Sequence, residues 1–378
     1  MSHKHKPVGG PLFSGMFAVA LALAGVGAYF LAQRFLHGIG AVSHMNDGYA
    51  WGVWITYDVL VGTAFGCGGF AMALLVYVFN KGEYHPLVRS AVMTSLFGYT
   101  LAAVSVFIDI GRYWNMHHVL LPQYWNLNSA LLEVALCIAA YVAVLWIEFS
   151  PSFLESAKGP GGARGINRAM FVFIAIGVLL PLMHQSSLGT LMILAGTKLS
   201  PLWQTGLLPF FNVLTALAMG YAVVVFESYV SAVAFGRPFE TPVLRKLTGV
   251  IPPLMIVFLV VRWGDLLLRG ALGSAFSGTA GLMFWVENAL FLAPVLMLAP
   301  AASRASGRTL CLASFLLLAG GTVFRFNYYL VGFDPGHGWS YFPSVGEIMI
   351  TLGIVAAEIL AYLVFVKRLP VLPQAEHA

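Results

Sequence analysis

Ten apolar runs, each long enough to cross a bilayer, divide this sequence almost from end to end. A span needs about 20 mostly apolar residues at ~1.5 Å rise each. The charged and Gly/Pro-rich breaks place spans at 13–35, 51–79, 88–113, 127–150, 168–195 (interrupted at Pro181), 205–229, 245–268, 279–301, 308–330 and 343–367. A helix satisfies its own backbone in lipid, so the pattern predicts an all-α integral membrane protein of ten transmembrane helices. Of 378 residues, 59% are apolar and 9% charged, which excludes a disordered chain, a nucleic-acid binder and a secreted disulfide scaffold. Cys67, Cys137 and Cys311 lie far apart inside apolar runs and match no metal spacing, so they read as small buried hydrophobes. The first run follows Lys4 and Lys6, as in a signal peptide, but its apolar part is too long for one and is read as an anchor helix.

An even number of spans puts both termini on one side. That side carries Lys4, Lys6, Lys81, Arg89, Lys158, Arg164, Arg168, Arg237, Arg245, Lys246, Arg304, Arg308, Lys367 and Arg368, which is 14 of the 20 basic residues. Arg34, Arg112, Lys198, Arg262, Arg269 and Arg325 fall on the other, so the positive-inside bias predicts cytoplasmic termini. No loop is long enough for a second domain, and residues 1–378 read as one membrane domain. Asp109 and Arg112 followed by Glu133 are echoed by Arg262 and Asp265 followed by Glu287. With short connections, this echo predicts two parallel four-helix bundles, helices 2–5 (51–195) and 6–9 (205–330), flanked by helices 1 and 10. Gly62 with Gly66, and Gly353 with Ala357, have the spacing of close helix crossings.

Ionisable residues inside spans cost roughly 2.5–3.5 kcal/mol each on insertion scales and are therefore functional candidates. Asp58 lies ~10 Å past Trp51, and Glu133 ~9 Å past Leu127, on the helix rise. Asp109, Arg112 and Trp114 occur in one run at the end of helix 3, with Tyr99 near its middle, and His184 and Gln185 follow Pro181. On this reading, acid, base, amide and aromatic groups from four spans meet at one depth, on the side away from the termini. Simpler roles compete. Asp109 and Arg112, three apart, suit an ion pair, and Tyr99 suits ordinary packing. His184 suits an interfacial site, as do Glu148 and Glu227 near the other face, and Trp114 suits the aromatic belt. Every histidine reads as lying in a loop, tail or span end, and no iron–sulfur cysteine spacing occurs, so neither haem nor cluster is expected in this chain.

Four stretches, Trp51-Gly-Val-Trp-Ile-Thr-Tyr-Asp58, Phe79-Asn-Lys-Gly-Glu-Tyr-His-Pro-Leu-Val-Arg89, Asp109-Ile-Gly-Arg-Tyr-Trp-Asn115 and Met183-His-Gln-Ser-Ser-Leu-Gly189, resemble the NrfD/polysulfide-reductase family. Pro201-Leu-Trp-Gln204 and Tyr341-Phe-Pro-Ser-Val-Gly-Glu347 extend the likeness over nearly the whole chain, which looks most like the membrane subunits of periplasm-facing [NiFe] hydrogenases. The resemblance implies a multi-pass subunit of the bacterial inner membrane, not catalytic alone, that reduces quinone, menaquinone above all, in anaerobic respiration. It implies a ferredoxin-like iron–sulfur subunit and the small and large [NiFe] hydrogenase subunits as partners, and a quinone site near the periplasmic face. Asp109, Arg112, Trp114, His184 and Gln185 are then the expected quinone-binding set, and Asp58, Tyr99, Glu133 and Glu148 a proton-transfer set. A secondary transporter, with Pro181 breaking a helix, and a purely structural anchor are the alternatives.

Overall fold

A computed structural model describes residues 5–159, 162, 164–167, 169–239 and 241–373; Lys4 and Arg168 lie outside the described residues. It contains ten helices long and apolar enough to span a membrane: α1 Gly15–His37, α2 Ile55–Val78, α3 Gly82–Asp109, α4 Ala130–Lys158, α5 Met170–Ile193, α6 Leu208–Ala234, α7 Thr241–Leu268, α8 Gly278–Leu298, α9 Gly307–Val331 and α10 Val345–Arg368. Serines start four of them. The side chains of Ser14, Ser129, Ser306 and Ser344 each accept a first-turn N–H of α1, α4, α9 and α10, and Ser344 forms a full capping box with Glu347. Pro181 does not interrupt its span. α5 runs through it unbroken, because in an apolar setting a helix keeps its remaining backbone bonds in preference to exposing more of them.

Helix α2 departs from regular α geometry, with π-helical turns at Ile55–Gly62 and Leu74–Val78, and α9 ends in another at Asn327–Val331. Such turns often occur at functional sites. α2 and α6 form the centre: 78% of the apolar window of each is buried, against 11% for α1. α2 packs on α3 and α6, α4 on α3 and α5, α6 on α5, α7 and α9, and α8 on α7 and α9. α1 lies outside this core against α10. There a Cβ on Gly27 would fall 2.7 Å from the Cα of Gly353, so backbones touch where other residues would hold them apart. The second close crossing lies inside: a Cβ on Gly98 would come within 3.0 Å of the Gly62 carbonyl oxygen, and one on Gly66 within 2.9 Å of the Tyr99 ring. Val8 N–H bonds the carbonyl of Val366, and His5 bridges Pro373, so the two terminal segments meet at one end of the molecule.

Candidate functional site

The expected polar collection is divided by the fold into separate groups. One lies deep between α2, α3, α5 and α9. Thr63 Oγ1 donates to the Val59 carbonyl of its own helix, which leaves its lone pairs for Gln185 Nε2 at 3.0 Å and His184 Nε2 at 3.1 Å. Because the Thr63 proton is already committed, the network assigns the His184 proton to Nε2. Nδ1 is then a bare acceptor, buried and without a partner. The Tyr99 ring packs edge-on against His184 at 5.5 Å and against Tyr141 at 4.5 Å, with its hydroxyl 3.9 Å from Cys67 Sγ. Arg325 of α9 enters the same group, fully buried. Its guanidinium donates to Gln185 Oε1 at 3.2 Å, to Thr215 Oγ1 at 3.4 Å and to the Gly321 carbonyl at 3.2 Å. Among the described residues no carboxylate pairs with it. A cation without a counter-ion in a membrane interior is expensive and marks a functional position. His184 lies nine residues from the α5 end at Ile193, so it sits ~14 Å inside the span, not at its edge as expected.

A second group joins α2 to α3 near the end away from the termini. Trp54 donates its indole N–H to Asp109 at 2.6 Å, and one turn deeper Ser105 donates to Asp58 at 2.9 Å. Arg34 of α1 closes this end, with its guanidinium bonded to the carbonyls of Ile108 at 2.8 Å and Ile110 at 2.7 Å. Those carbonyls belong to the last turn of α3, where a cation also complements the helix dipole. The suggested Asp109–Arg112 ion pair does not form. α3 stops at Asp109, and Arg112 begins the 3-10 segment Tyr113–Leu120, where it is exposed beside the exposed Trp114. Tyr341 ties α10 to this end: it accepts from Val53 N–H at 2.7 Å and donates to Glu347 Oε1. Burial, then the Glu347 contact, raises the Tyr341 phenol well above its ordinary pKa, which keeps it a donor.

Glu133 and Glu148 belong to neither group. Glu133 is exposed in the first turn of α4, because that helix begins at Ala130; the expected depth inside the span is therefore corrected. Glu148, ten residues or ~15 Å before the opposite end of α4 at Lys158, lines a cavity of about 720 Å³ between α2, α3, α4 and α5. Its carboxylate rests on Gly177, where a Cβ would come within 2.5 Å of it, and the Arg89–Glu155 pair (2.8 Å) lies in the same wall. Tyr141, seven residues before Glu148 on the same face of α4, links this cavity to Tyr99.

In the second half of the chain, Arg262 and Glu287 are both fully buried, 3.7 Å apart. Glu287 accepts from Trp203 and Asn327, each at 2.9 Å, while Arg262 lies over the rings of Phe211 and Phe284. Asp265 instead pairs with Arg269 at 2.7 Å. The echo between the halves is thus one of composition, with different pairings in each.

Three relatives place this geometry in context. Over 377 residues the chain is 45% identical to the "Probable Ni/Fe-hydrogenase 2 b-type cytochrome subunit" of Escherichia coli strain K12, covering 99% of this chain and 96% of the relative. It is 28% identical over 400 residues to the "Menaquinone reductase, integral membrane subunit" of Nitratidesulfovibrio vulgaris, covering 96% and 92%. It is also 24% identical over 388 residues to the "Hdr-like menaquinol oxidoreductase integral membrane subunit" of Archaeoglobus fulgidus, covering 95% and 94%. The first name carries the word cytochrome, but the residues here do not fit a haem. His184 is the one histidine in the interior of a described span; its Nε2 is held by Thr63 and its ring is wedged against Tyr99. Among the described residues no second histidine lies in the interior of a span to complete an axial pair. Residues 41–332 match the family described as "Polysulphide reductase, NrfD". The chain belongs to the polysulphide reductase NrfD family of multi-pass membrane proteins.

Proposed function

We propose that this chain is the quinone-reactive membrane subunit of a respiratory [NiFe] hydrogenase of the bacterial inner membrane. Its full-length likeness to a hydrogenase 2 membrane subunit, joined to the likeness to menaquinone-linked subunits, carries the reading. Hydrogen is oxidised on the large subunit, and electrons pass through the small subunit and a ferredoxin-like iron–sulfur partner to menaquinone. The quinone ring meets the end of α2 and α3 at Asp109, with Trp54 fixing the carboxylate and exposed Arg112 and Trp114 at the approach. Donors set in advance at that end stabilise the charge that develops on quinone oxygen during reduction. Glu133, on the outer face of α4, meets a quinone arriving from lipid and does not act as an interior carrier.

Each reduced quinone also consumes two protons. The cavity, Glu148, Tyr141, Tyr99 and His184 form a row along the first four-helix bundle, and the unpartnered Nδ1 of His184 is its natural acceptor. The continuous α5 removes the broken-helix feature that favoured a transporter.

The test is an assembled, purified complex given hydrogen and either an artificial dye or a menaquinone analogue. His184→Ala is expected to keep dye reduction and to lose quinone reduction by about tenfold or more, equivalent to about 1.4 kcal/mol. A complex stripped of this chain that still reduces the quinone at full rate would sink the proposal.

A further inference from the structure

Helix α10 carries a stripe that the row through Tyr99 does not use. Glu347, Thr351, Glu358 and Tyr362 are spaced by four, seven and four residues, so they share one face of an otherwise apolar helix over ~22 Å. Its upper part, Glu347 and Thr351, is buried and its lower part, Glu358 and Tyr362, half-buried, and the helix packs on α3 and the start of α2. At its lower end, nearest the termini, Glu227 of α6 accepts from Thr94 of α3 at 2.6 Å through one oxygen, while its other oxygen is buried and unbonded. Ser231, one turn further along α6, is 4% exposed and its hydroxyl is also without a partner. The Tyr362 hydroxyl lies within reach of both, so that a small rotation bonds it to Ser231 or to Glu227. A cavity of about 40 Å³, lined by Ser90, Glu227, Ser231 and Arg237, connects them to the terminal end, and a volume of that size admits a water.

Further up the stripe, Glu358 stands in mid-helix with no hydrogen bond or ion pair to it among the described residues. Its electrostatic neighbours are Glu227, Tyr57 and Asp58. Thr351, 8% exposed, adds another unpartnered hydroxyl on the same face. Packing alone does not explain this seam, since buried polar atoms are normally held in fixed bonds and here Glu227, Ser231 and Tyr362 face one another with no fixed bond among them.

We infer that the α10 seam is a second proton conduit, in which Glu227, Tyr362, Glu358 and Asp58 carry protons from the end bearing the termini to the quinone end. A proton taken up by Glu227 displaces one through the rotating Tyr362 hydroxyl to Glu358, which releases its own toward Asp58. Each group ends as it began, and the net change is one proton moved. Asp58 lies one turn below Trp54, whose indole holds Asp109, so delivery ends beside the carboxylate where quinone reduction consumes protons. The inference rests on the quinone reading above.

The experiment uses the assembled complex in proteoliposomes, with hydrogen and a menaquinone analogue, recording quinone reduction together with proton uptake on the side of the termini. Glu358→Gln and Glu227→Gln are expected to lower proton uptake per quinone by at least about twofold, and to remove protonated-carboxyl bands from the redox-induced infrared difference spectrum. Tyr362→Phe removes a single hydroxyl and reads the same path should either Gln variant fail to assemble. If wild-type complex reduces quinone and all assembled variants take up protons at the wild-type rate with unchanged carboxyl bands, the conduit is rejected and the quinone reading stands. A wild-type complex unable to reduce quinone removes both.

Discussion

Arg325 donates to Gln185 Oε1 at 3.2 Å across the boundary between the two halves of the chain, and Gln185 in turn shares Thr63 with His184. A buried cation without a carboxylate costs several kcal/mol in desolvation, which neutral acceptors repay only in part. Arg325→Met is therefore expected to leave the protein as stable as wild type or more so, while quinone reduction falls by about tenfold or more. Arg325→Lys keeps the charge but not the fork that spans Gln185, Thr215 and Gly321, and should fall between the two. Thermal melting of the detergent-solubilised complex, set beside hydrogen-to-quinone rates, checks this. A Met variant that melts well below wild type would make Arg325 a structural residue.

The Trp54–Asp109 contact predicts an asymmetry. Trp54→Phe removes the donor and leaves a half-buried carboxylate, a loss of about 1–3 kcal/mol. Replacing both residues, Trp54→Phe with Asp109→Leu, removes donor and acceptor together and should cost less than the sum of the single changes. Unfolding of the four proteins measured under one condition gives the coupling; strict additivity would show that the 2.6 Å contact contributes nothing.

Where α1 crosses α10, Gly27→Leu must push apart two backbones already in contact, and is expected to cost about 1–3 kcal/mol. Gly25→Leu, two residues away, meets nothing within 4 Å and serves as the matched control, expected within about 0.5 kcal/mol of wild type. Equal melting of the two variants would mean that the crossing is not held by close backbone approach.

Hydropathy located all ten helices, because a span is defined by composition over its whole length and tolerates uncertain ends. The ends carry no such average, and the site residues lie near them. Hydropathy carries α3 on to Arg112, but the Ile110-Gly111 step takes the chain out of the helix, and it starts α4 three loop residues early, which sets Glu133 too deep. A break at Pro181 would set His184 near an edge, yet a proline in an apolar helix need not end it. The π-helical turns of α2 have no periodic signature. Arg34, Arg262 and Arg325 carry a legible signal, an arginine in or beside an apolar run, which marks a functional position as well as a side of the membrane. Which groups each meets, backbone carbonyls for Arg34, Glu287 for Arg262 and neutral side chains for Arg325, depends on contacts between distant helices, and no local pattern encodes that.

Those three arginines also sharpen the expected orientation. Their side chains are 2% or less exposed, so they present no charge at the membrane surface. Of the six basic residues on the side away from the termini, the exposed ones are Arg112, Lys198 and Arg269, and Arg269 is paired with Asp265. The charge difference between the two faces is thus greater than the sequence count of 14 to 6, and the bias toward a cytoplasmic location of the more basic face grows with it. A reporter active only in the periplasm, fused after the last helix, is expected to be silent, whereas the same reporter inserted in the exposed 336–338 turn between α9 and α10 should be active. The opposite pattern would invert the chain, put Asp109 and Arg112 on the cytoplasmic face, and separate the proposed quinone end from any periplasmic iron–sulfur partner.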